Sequence, residues 1–281
     1  MPYALSHDGV RLHYEIHDYT DPWKNAGTLI LQHGFGRSAR FWRNMVPYIA
    51  RFFRVVCPDL RGLGESSKDF DFENAISADN YLRDILSVAG SLGLERFHYA
   101  GESLGGMLGM ALAAQHPDRV RSLTMMSSSL SVRQDAQKAF AFQYPNWQDA
   151  LRALGTRGWA AEANKSTRFP PGTDAKLLDW YSEEFGKSDV NVLLAMSKVA
   201  VTLNLAPVID TIRTPTLGLY PTGGAFAKSG EEALMKAGLK GMRMIHFPTT
   251  YHMVWVLAPA ACATHMLHFM AEIDGVPAHE F

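Results

Sequence analysis

Apolar runs alternate with segments of helical spacing along much of the chain. Four runs contain few polar residues, at positions 28–32, 53–57, 97–100 and 120–126. Such short runs are typical of strands that are buried on both faces of a parallel sheet. Residues 78–92 lie between two of them and place apolar side chains every three or four positions, which predicts an amphipathic helix. Strands that alternate with helices predict an α/β chain with a mostly parallel, doubly wound sheet.

The pattern extends towards both ends of the chain. Residues 2–17 alternate polar and apolar positions around a turn at 7–10, which predicts two strands joined tightly. Two later strands are predicted at 216–220 and 242–247. The same periodicity predicts further helices at 41–52, 107–116, 230–237 and 254–270.

The alternation stops between residues 131 and 205, where only helical segments rich in aromatic residues occur. Because strands resume afterwards, we expect this stretch to be a helical cap that is inserted after the sixth strand. Residues 1–130 and 206–281 would then form the core. The cap is expected to cover one edge of the sheet as a lid, although ordinary helix packing also accounts for many of its aromatic residues.

A glycine-rich stretch connects the strand at 97–100 to the helix that follows it. Gly101, Ser103 and Gly105 fit the pattern G-x-S-x-G. Between a strand and a helix, this pattern predicts a sharp turn with the serine at its apex and the first helical N–H groups close to it. Ser103 is therefore the candidate nucleophile, and the alternative is a plain strand–helix junction with an idle serine.

Two other loops are predicted at the same edge of the sheet, because the carboxyl ends of parallel strands gather there. The turn 33–36 follows the first buried strand, and its Phe35 N–H would act beside the Leu104 N–H as an oxyanion donor. The alternative is a tight turn with two glycines. His252 follows the last strand and precedes a helix, which suits a general base. A capping or core histidine is the alternative.

Together these features resemble the α/β-hydrolase superfamily over essentially the whole chain. The resemblance rests on the turn 33–36, the loop 58–66, the elbow 101–106, the helical cap and the late histidine before a helix. Within the superfamily, the chain is most similar to 3-oxoadipate enol-lactonases and related small esterases. The resemblance implies an α/β-hydrolase fold and a Ser–His–acid triad that acts through an acyl-enzyme.

The sequence departs from that pattern at the acid. The usual position, in the loop 220–229, holds no carboxylate, and neither does the alternative position at 126–129. Glu231 and Glu232 are the nearest downstream candidates for the acid. A hydroxyl from 127–129 or a backbone carbonyl could orient the histidine instead, or a strained lactone or activated ester could tolerate a weaker base.

The main hypothesis is a serine hydrolase that cleaves a small or medium, partly apolar ester or lactone. Trp42, Phe140 and Trp147 are expected to bind the substrate, in an apolar pocket beside Phe35. One alternative is a cofactor-free C–C hydrolase, lyase or dioxygenase that uses His252 as a base. A second is a ligand-binding homologue with impaired catalysis, because fold does not dictate function.

Composition narrows the possible partners. The 281 residues carry a net charge of −1, which does not favour nucleic acid or a membrane surface, so a small-molecule substrate is expected. The two cysteines suggest no disulfide framework, and the scattered histidines suggest no metal site. No cofactor is expected, because no phosphate-binding loop occurs. The N-terminus lacks an export signal, so a cytoplasmic location is expected, and a homodimer is left open.

Overall fold

A single sheet organises the protein, whose computed structural model describes residues 2–224 and 230–276. Its eight strands are β1 (Tyr3–Leu5), β2 (Arg11–His17), β3 (Thr28–Gln32), β4 (Arg54–Pro58), β5 (Phe97–Glu102), β6 (Val120–Met126), β7 (Thr216–Pro221) and β8 (Arg243–Phe247). They lie side by side in the order β1-β2-β4-β3-β5-β6-β7-β8. The pairs β1–β2 and β2–β4 are antiparallel and the remaining pairs are parallel. This sheet confirms the predicted fold class.

The register of the central strands brings their carboxyl ends to one edge. Gln32 at the end of β3 pairs with Gly101 of β5, and Glu102 pairs with Met126 at the end of β6. All three strands are buried along nearly their whole length. The turn after β3 and the elbow after β5 are therefore neighbours on a rigid, buried platform.

The helices of the core pack on the sheet. They are α1 (Val46–Ile49), α2 (Phe72–Ala75), α3 (Ala78–Ser91), α4 (Leu104–Gln115), α9 (Glu231–Gly238), α10 (Val254–Leu257) and α11 (Pro259–Asp274). The helices α5 to α8 belong to the stretch between β6 and β7. His98 of β5 contacts Asp274 of α11 at 3.1 Å, whereas the Tyr99 hydroxyl donates to the Gly105 carbonyl of α4 at 2.7 Å. Because adjacent strand residues point to opposite faces, α4 and α11 cover the two faces of the sheet. None of the described helices is both long and apolar enough to cross a lipid bilayer.

Two predicted helices are wrong in extent, and a proline explains each error. The stretch predicted as one helix at 41–52 holds the end of a 3₁₀ helix, Ala39–Trp42, and the short α1. Pro47 lies in the first turn of α1, where its missing N–H does no harm, but it would break a helix that started earlier. Likewise, Pro259 starts α11, so the predicted helix 254–270 is divided into α10 and α11.

Between residues 131 and 205 lie four α-helices and one π-helix. They are α5 (Gln134–Ala141), α6 (Trp147–Ala163), the π-helix Asn164–Arg168, α7 (Ala175–Gly186) and α8 (Val190–Thr202). The two connections to the core pair with each other, because Ser131 bridges Asn204 and the Leu205 N–H donates to the Leu130 carbonyl at 2.8 Å. This closed stem supports the proposal that 131–205 is a cap.

Candidate active site

Ser103 lies at a sharp turn between β5 and α4. Its φ of +53° and ψ of −121° are a conformation that L-residues rarely adopt, at a cost of about 1–3 kcal/mol. The turn is fixed because the Ser103 N–H donates to the Met126 carbonyl at 2.9 Å and the Ser103 carbonyl accepts from the Gly106 N–H at 3.1 Å. A Cβ at Gly101 would lie 2.4 Å from the Gly105 backbone. Small residues therefore let the chain close tightly around the serine.

The turn after β3 supplies a second group of backbone donors. Within the described chain, neither the Phe35 N–H nor the Leu104 N–H has a hydrogen-bond acceptor. Both residues line the same cavity as Ser103. These two amides are therefore available to an oxygen atom that approaches the serine.

A buried ion pair fastens this turn to the elbow. Arg37 Nη1 lies 3.0 Å from Glu102 Oε1, and the two side chains are 2% and 1% exposed. The Glu102 carboxylate also accepts a hydrogen bond from the Gly34 N–H. Burial raises the pKa of Glu102 to about 7, and the charge of Arg37 opposes the rise. The side chain next to the serine thus positions the neighbouring turn.

Arg37 continues this network into two further elements. Its Nε donates to the Tyr181 hydroxyl of α7 in the cap. Its Nη2 lies 3.6 Å from the sulfur of Met253, which directly follows His252. One guanidinium group therefore connects the elbow, the cap and the loop that carries the histidine.

His252 lies in the loop between β8 and α10, and its imidazole is half-buried. Its backbone N–H donates to the Thr167 carbonyl of the π-helix at 3.0 Å. Removal from bulk water and the charges of Arg37 and Arg168 lower the pKa of His252 to about 3. Within the described chain, no carboxylate forms a hydrogen bond or an ion pair with the imidazole. The histidine is therefore neutral, and it has no acidic partner among residues 2–224 and 230–276.

The two predicted candidates for the acid serve other contacts. The Glu231 carboxylate accepts a hydrogen bond from the Leu130 N–H at 3.2 Å, at the stem of the cap. Glu232 lies near the surface and contacts Lys236 at 2.6 Å and His246 at 3.0 Å. The expectation that either glutamate supports His252 needs correcting, because the start of α9 directs both carboxylates to these partners.

A cavity of about 450 Å³ lies between the cap and the sheet edge. Six of the predicted site residues line it, namely Ser103, His252, Phe35, Leu104, Phe140 and Trp147. Aromatic rings form much of the wall, since Trp147 packs against Phe35 at 4.6 Å and against Phe140 at 4.8 Å between ring centroids. The structure thus brings the candidate nucleophile, base, donors and two wall residues together.

Trp42 is placed elsewhere, and its assignment to substrate binding needs correcting. The side chain is 1% exposed and is absent from the wall of the cavity. Its ring packs against Trp255 at 6.3 Å between centroids. It belongs to the packed core because the 3₁₀ helix Ala39–Trp42 turns it inward, which its spacing in the sequence does not reveal.

Arg168 is a wall residue that the sequence did not reveal. It is only 4% exposed and ends the π-helix of the cap. Burial lowers its pKa to about 10. In the sequence, only its position in an aromatic-rich segment pointed to a place in the cavity wall. The folded cap brings its guanidinium close enough for its charge to act on His252.

The sheet topology, the elbow and the cap define the class of this protein. The chain belongs to the alpha/beta hydrolase fold family, which matches residues 27–193. It is therefore a hydrolase by family.

Individual relatives agree with this class. The chain is 28% identical over 280 residues to a putative carbamate hydrolase, RutD, of Azorhizobium caulinodans, which covers 98% of this chain and 100% of the relative. It is 24% identical over 241 residues to a strigolactone esterase of Arabidopsis thaliana, covering 84% and 89%. The crystal structure of an enol-lactonase from Burkholderia xenovorans has a TM-score of 0.81 at 21% identity and covers 96% and 100%. At this identity the structural likeness shows the fold alone.

Proposed function

We propose that this protein is a serine hydrolase that cleaves an ester or lactone of small or medium size through an acyl-enzyme. The observation that carries the proposal is the strained Ser103, which shares one cavity with His252 and two unpaired amides. The aromatic rings in the wall favour a partly apolar substrate, because they offer it apolar contact surface.

The proposed reaction uses these groups in sequence. His252 takes the proton from Ser103 Oγ as the oxygen attacks the substrate carbonyl carbon, and the amides of Phe35 and Leu104 bind the oxyanion. His252 then gives that proton to the departing alkoxide as the carbon–oxygen bond breaks. Water, deprotonated by His252, attacks the acyl-enzyme, and the proton returns to Ser103.

The state of His252 limits the range of substrates. A histidine with a pKa near 3 is a weak base, and no carboxylate of the described chain stabilises its imidazolium. General-base catalysis weakens as the pKa of the base falls. A strained lactone or an activated ester suits this site better than an amide, because its leaving group needs less assistance.

The nucleophile is tested by Ser103→Ala with a 4-nitrophenyl ester of a short acid. We expect kcat to fall by at least about 10³-fold, since no acyl-enzyme can form. Ser87→Ala is the control that should keep full activity, because this serine of α3 bonds only the Arg83 carbonyl and is absent from the cavity wall. Full activity in Ser103→Ala would contradict the proposal.

A second candidate is base chemistry without an acyl-enzyme, as in cofactor-free C–C hydrolases, lyases or dioxygenases. The observation that favours it is that no carboxylate of the described residues contacts His252, because such reactions use the histidine alone as a base. A fluorophosphonate probe separates the candidates. Labelling of wild-type protein but not of Ser103→Ala supports the acyl-enzyme. Product formation by a protein that the probe leaves unlabelled supports the alternative.

A further inference from the structure

Neighbouring side chains fix the direction of the Phe35 N–H. His33 Nε2 accepts from the Leu60 N–H at 3.1 Å, so its Nδ1 carries the ring proton and donates to the Gly34 carbonyl at 2.9 Å. That carbonyl belongs to the same planar trans peptide as the Phe35 N–H, and the two bonds point in opposite directions. Holding the Gly34 carbonyl therefore also holds the Phe35 N–H in one direction.

Glu102 and Arg37 hold the rest of this turn against the elbow. The Glu102 carboxylate accepts from the Gly34 N–H and from Arg37 Nη1. The same Nη1 donates weakly to the Phe35 carbonyl at 3.4 Å. A Cβ at Gly34 would lie 2.7 Å from the Glu102 carbonyl, so this approach requires glycine. Because Glu102 directly precedes Ser103, one side chain sets the place of the oxyanion donor relative to the nucleophile.

The charge of Glu102 needs a reason of its own, because a neutral amide at position 102 would also accept from the Gly34 N–H. A buried ion pair contributes little to stability compared with apolar packing. This pair is almost fully buried, and the charge of Arg168 acts on Glu102 as well. What the carboxylate provides is a guanidinium at this place. Its five donors in a fixed fork reach several elements from one position.

Arg37 extends this network to a residue of the cap that lies outside the cavity. Its Nε donates to the hydroxyl of Tyr181 in α7, which is fully buried and absent from the cavity wall. The Tyr181 hydroxyl also lies 3.7 Å from the sulfur of Met253, the residue after the proposed base. The fork of Arg37 thus has one acceptor in the elbow and one in the cap.

We propose that Glu102, Arg37 and Tyr181 are positioning residues that align the Phe35 amide with Ser103. A tyrosine of the cap outside the cavity then contributes to stabilising the oxyanion. The inference rests on the proposed function, and the three side chains act through the amide and move no proton. An oxyanion donor must lie about 2.7–3.1 Å from the developing charge. Its alignment affects the transition state more than the bound ester, whose carbonyl oxygen carries less charge.

The first experiment measures kcat and KM of two variants with 4-nitrophenyl butanoate. Tyr181→Phe removes one acceptor of Arg37, and we expect kcat to fall about fivefold, the value of one hydrogen bond. Glu102→Gln removes the charge that holds Arg37, and we expect a fall of about 10- to 100-fold, since a displacement of about 1 Å has effects of this size. In both variants KM should change little, because the lost alignment matters in the transition state.

Tyr144→Phe is the matched control and should keep full activity. This tyrosine also belongs to the cap and is absent from the cavity wall, and its hydroxyl has no hydrogen-bond partner within the part of the chain that the structure describes. An unchanged kcat in Tyr181→Phe would overturn the inference and leave the Ser103 test of the proposed function untouched. Should Glu102→Gln fail to fold, Tyr181→Phe decides alone, because it loses one hydroxyl and keeps the packed ring.

The second experiment uses butylboronic acid, whose boron bonds the serine oxygen in a tetrahedral adduct that resembles the oxyanion intermediate. Analogues of the transition state lose affinity when stabilisation of the transition state is lost. In Tyr181→Phe we therefore expect the inhibition constant to rise by the same factor by which kcat/KM falls. A fall in kcat/KM with an unchanged inhibition constant would place the defect outside the oxyanion site and overturn the inference.

Discussion

At the scale of single residues, the electrostatics of His252 distinguish this site. The imidazole lies near the guanidinium groups of Arg37 and Arg168, and both charges oppose its protonation. The side chain next to the serine, Glu102, is already engaged by Arg37 and Gly34. Burial and these two charges consequently hold the base neutral.

This arrangement predicts an unusual dependence of activity on pH. With the pKa of His252 at about 3 instead of 6.5, the base form persists in acid, and kcat/KM for a neutral ester should fall only below about pH 4. Arg168→Met removes a repelling positive charge, so it should move this acidic limb to higher pH. The measurement is the pH profile of kcat/KM in wild type and variant. An acidic limb near pH 6.5 in the wild type would contradict this account.

At the scale of elements, the tight connection from β5 through Ser103 to α4 depends on glycines, which have no side chain, at positions 101 and 105. Gly101→Ala would press a Cβ against the Gly105 backbone at 2.4 Å. We expect a loss of stability of at least about 2 kcal/mol, because a packed backbone cannot yield as a flexible side chain does. Urea unfolding measures the change, and kcat should fall with it as the elbow opens.

Gly90→Ala is the control for that substitution. Gly90 lies in α3, and a Cβ there would meet nothing within 4 Å. Its replacement should leave stability unchanged or raise it by about 0.5–1 kcal/mol, because alanine favours a helix. If both glycine variants behaved alike, close packing at the elbow would not be the reason for Gly101.

The same scale shows what a sequence pattern can predict. The strands at 28–32 and 120–126 have the predicted bounds. A short apolar run between turn residues is stabilised when both of its faces are buried, as they are inside a parallel sheet. The helices at 41–52 and 254–270 failed because periodicity ignores a proline that restarts the helix. The elbow was predictable because its chemistry is local. Arg168 was not, because its place beside His252 depends on how the cap folds over the core.

At the scale of the whole molecule, a buried histidine links stability to pH. His33 Nε2 accepts a hydrogen bond from the Leu60 N–H at 3.1 Å, and its Nδ1 lies 2.9 Å from the Gly34 carbonyl. Burial lowers its pKa from 6.5 to about 4. Between these values the unfolded chain binds a proton that the folded protein excludes. The stabilisation is complete above pH 6.5 and is lost as the pH falls towards 4, by about 3 kcal/mol.

Urea unfolding at a series of pH values tests this linkage. His33→Gln can still accept from Leu60 and has no titrating group, so its stability should fall less steeply between pH 6.5 and 4. His252 contributes a slope of the same sign in both proteins. Parallel curves for wild type and His33→Gln would contradict the assignment. A homodimer and a cytoplasmic location stay predictions of the sequence.

The hydrogen bond from the His252 N–H to the Thr167 carbonyl ties the loop of the proposed base to the cap. If the cap lifts to admit a molecule, this bond breaks and the charge of Arg168 acts less strongly on the imidazole. The pKa of His252 would then rise towards its ordinary value of 6.5, so in mildly acidic solution the open protein would bind a proton that closure releases. A stopped-flow pH indicator would detect that release at about pH 5.5 and not at about pH 8.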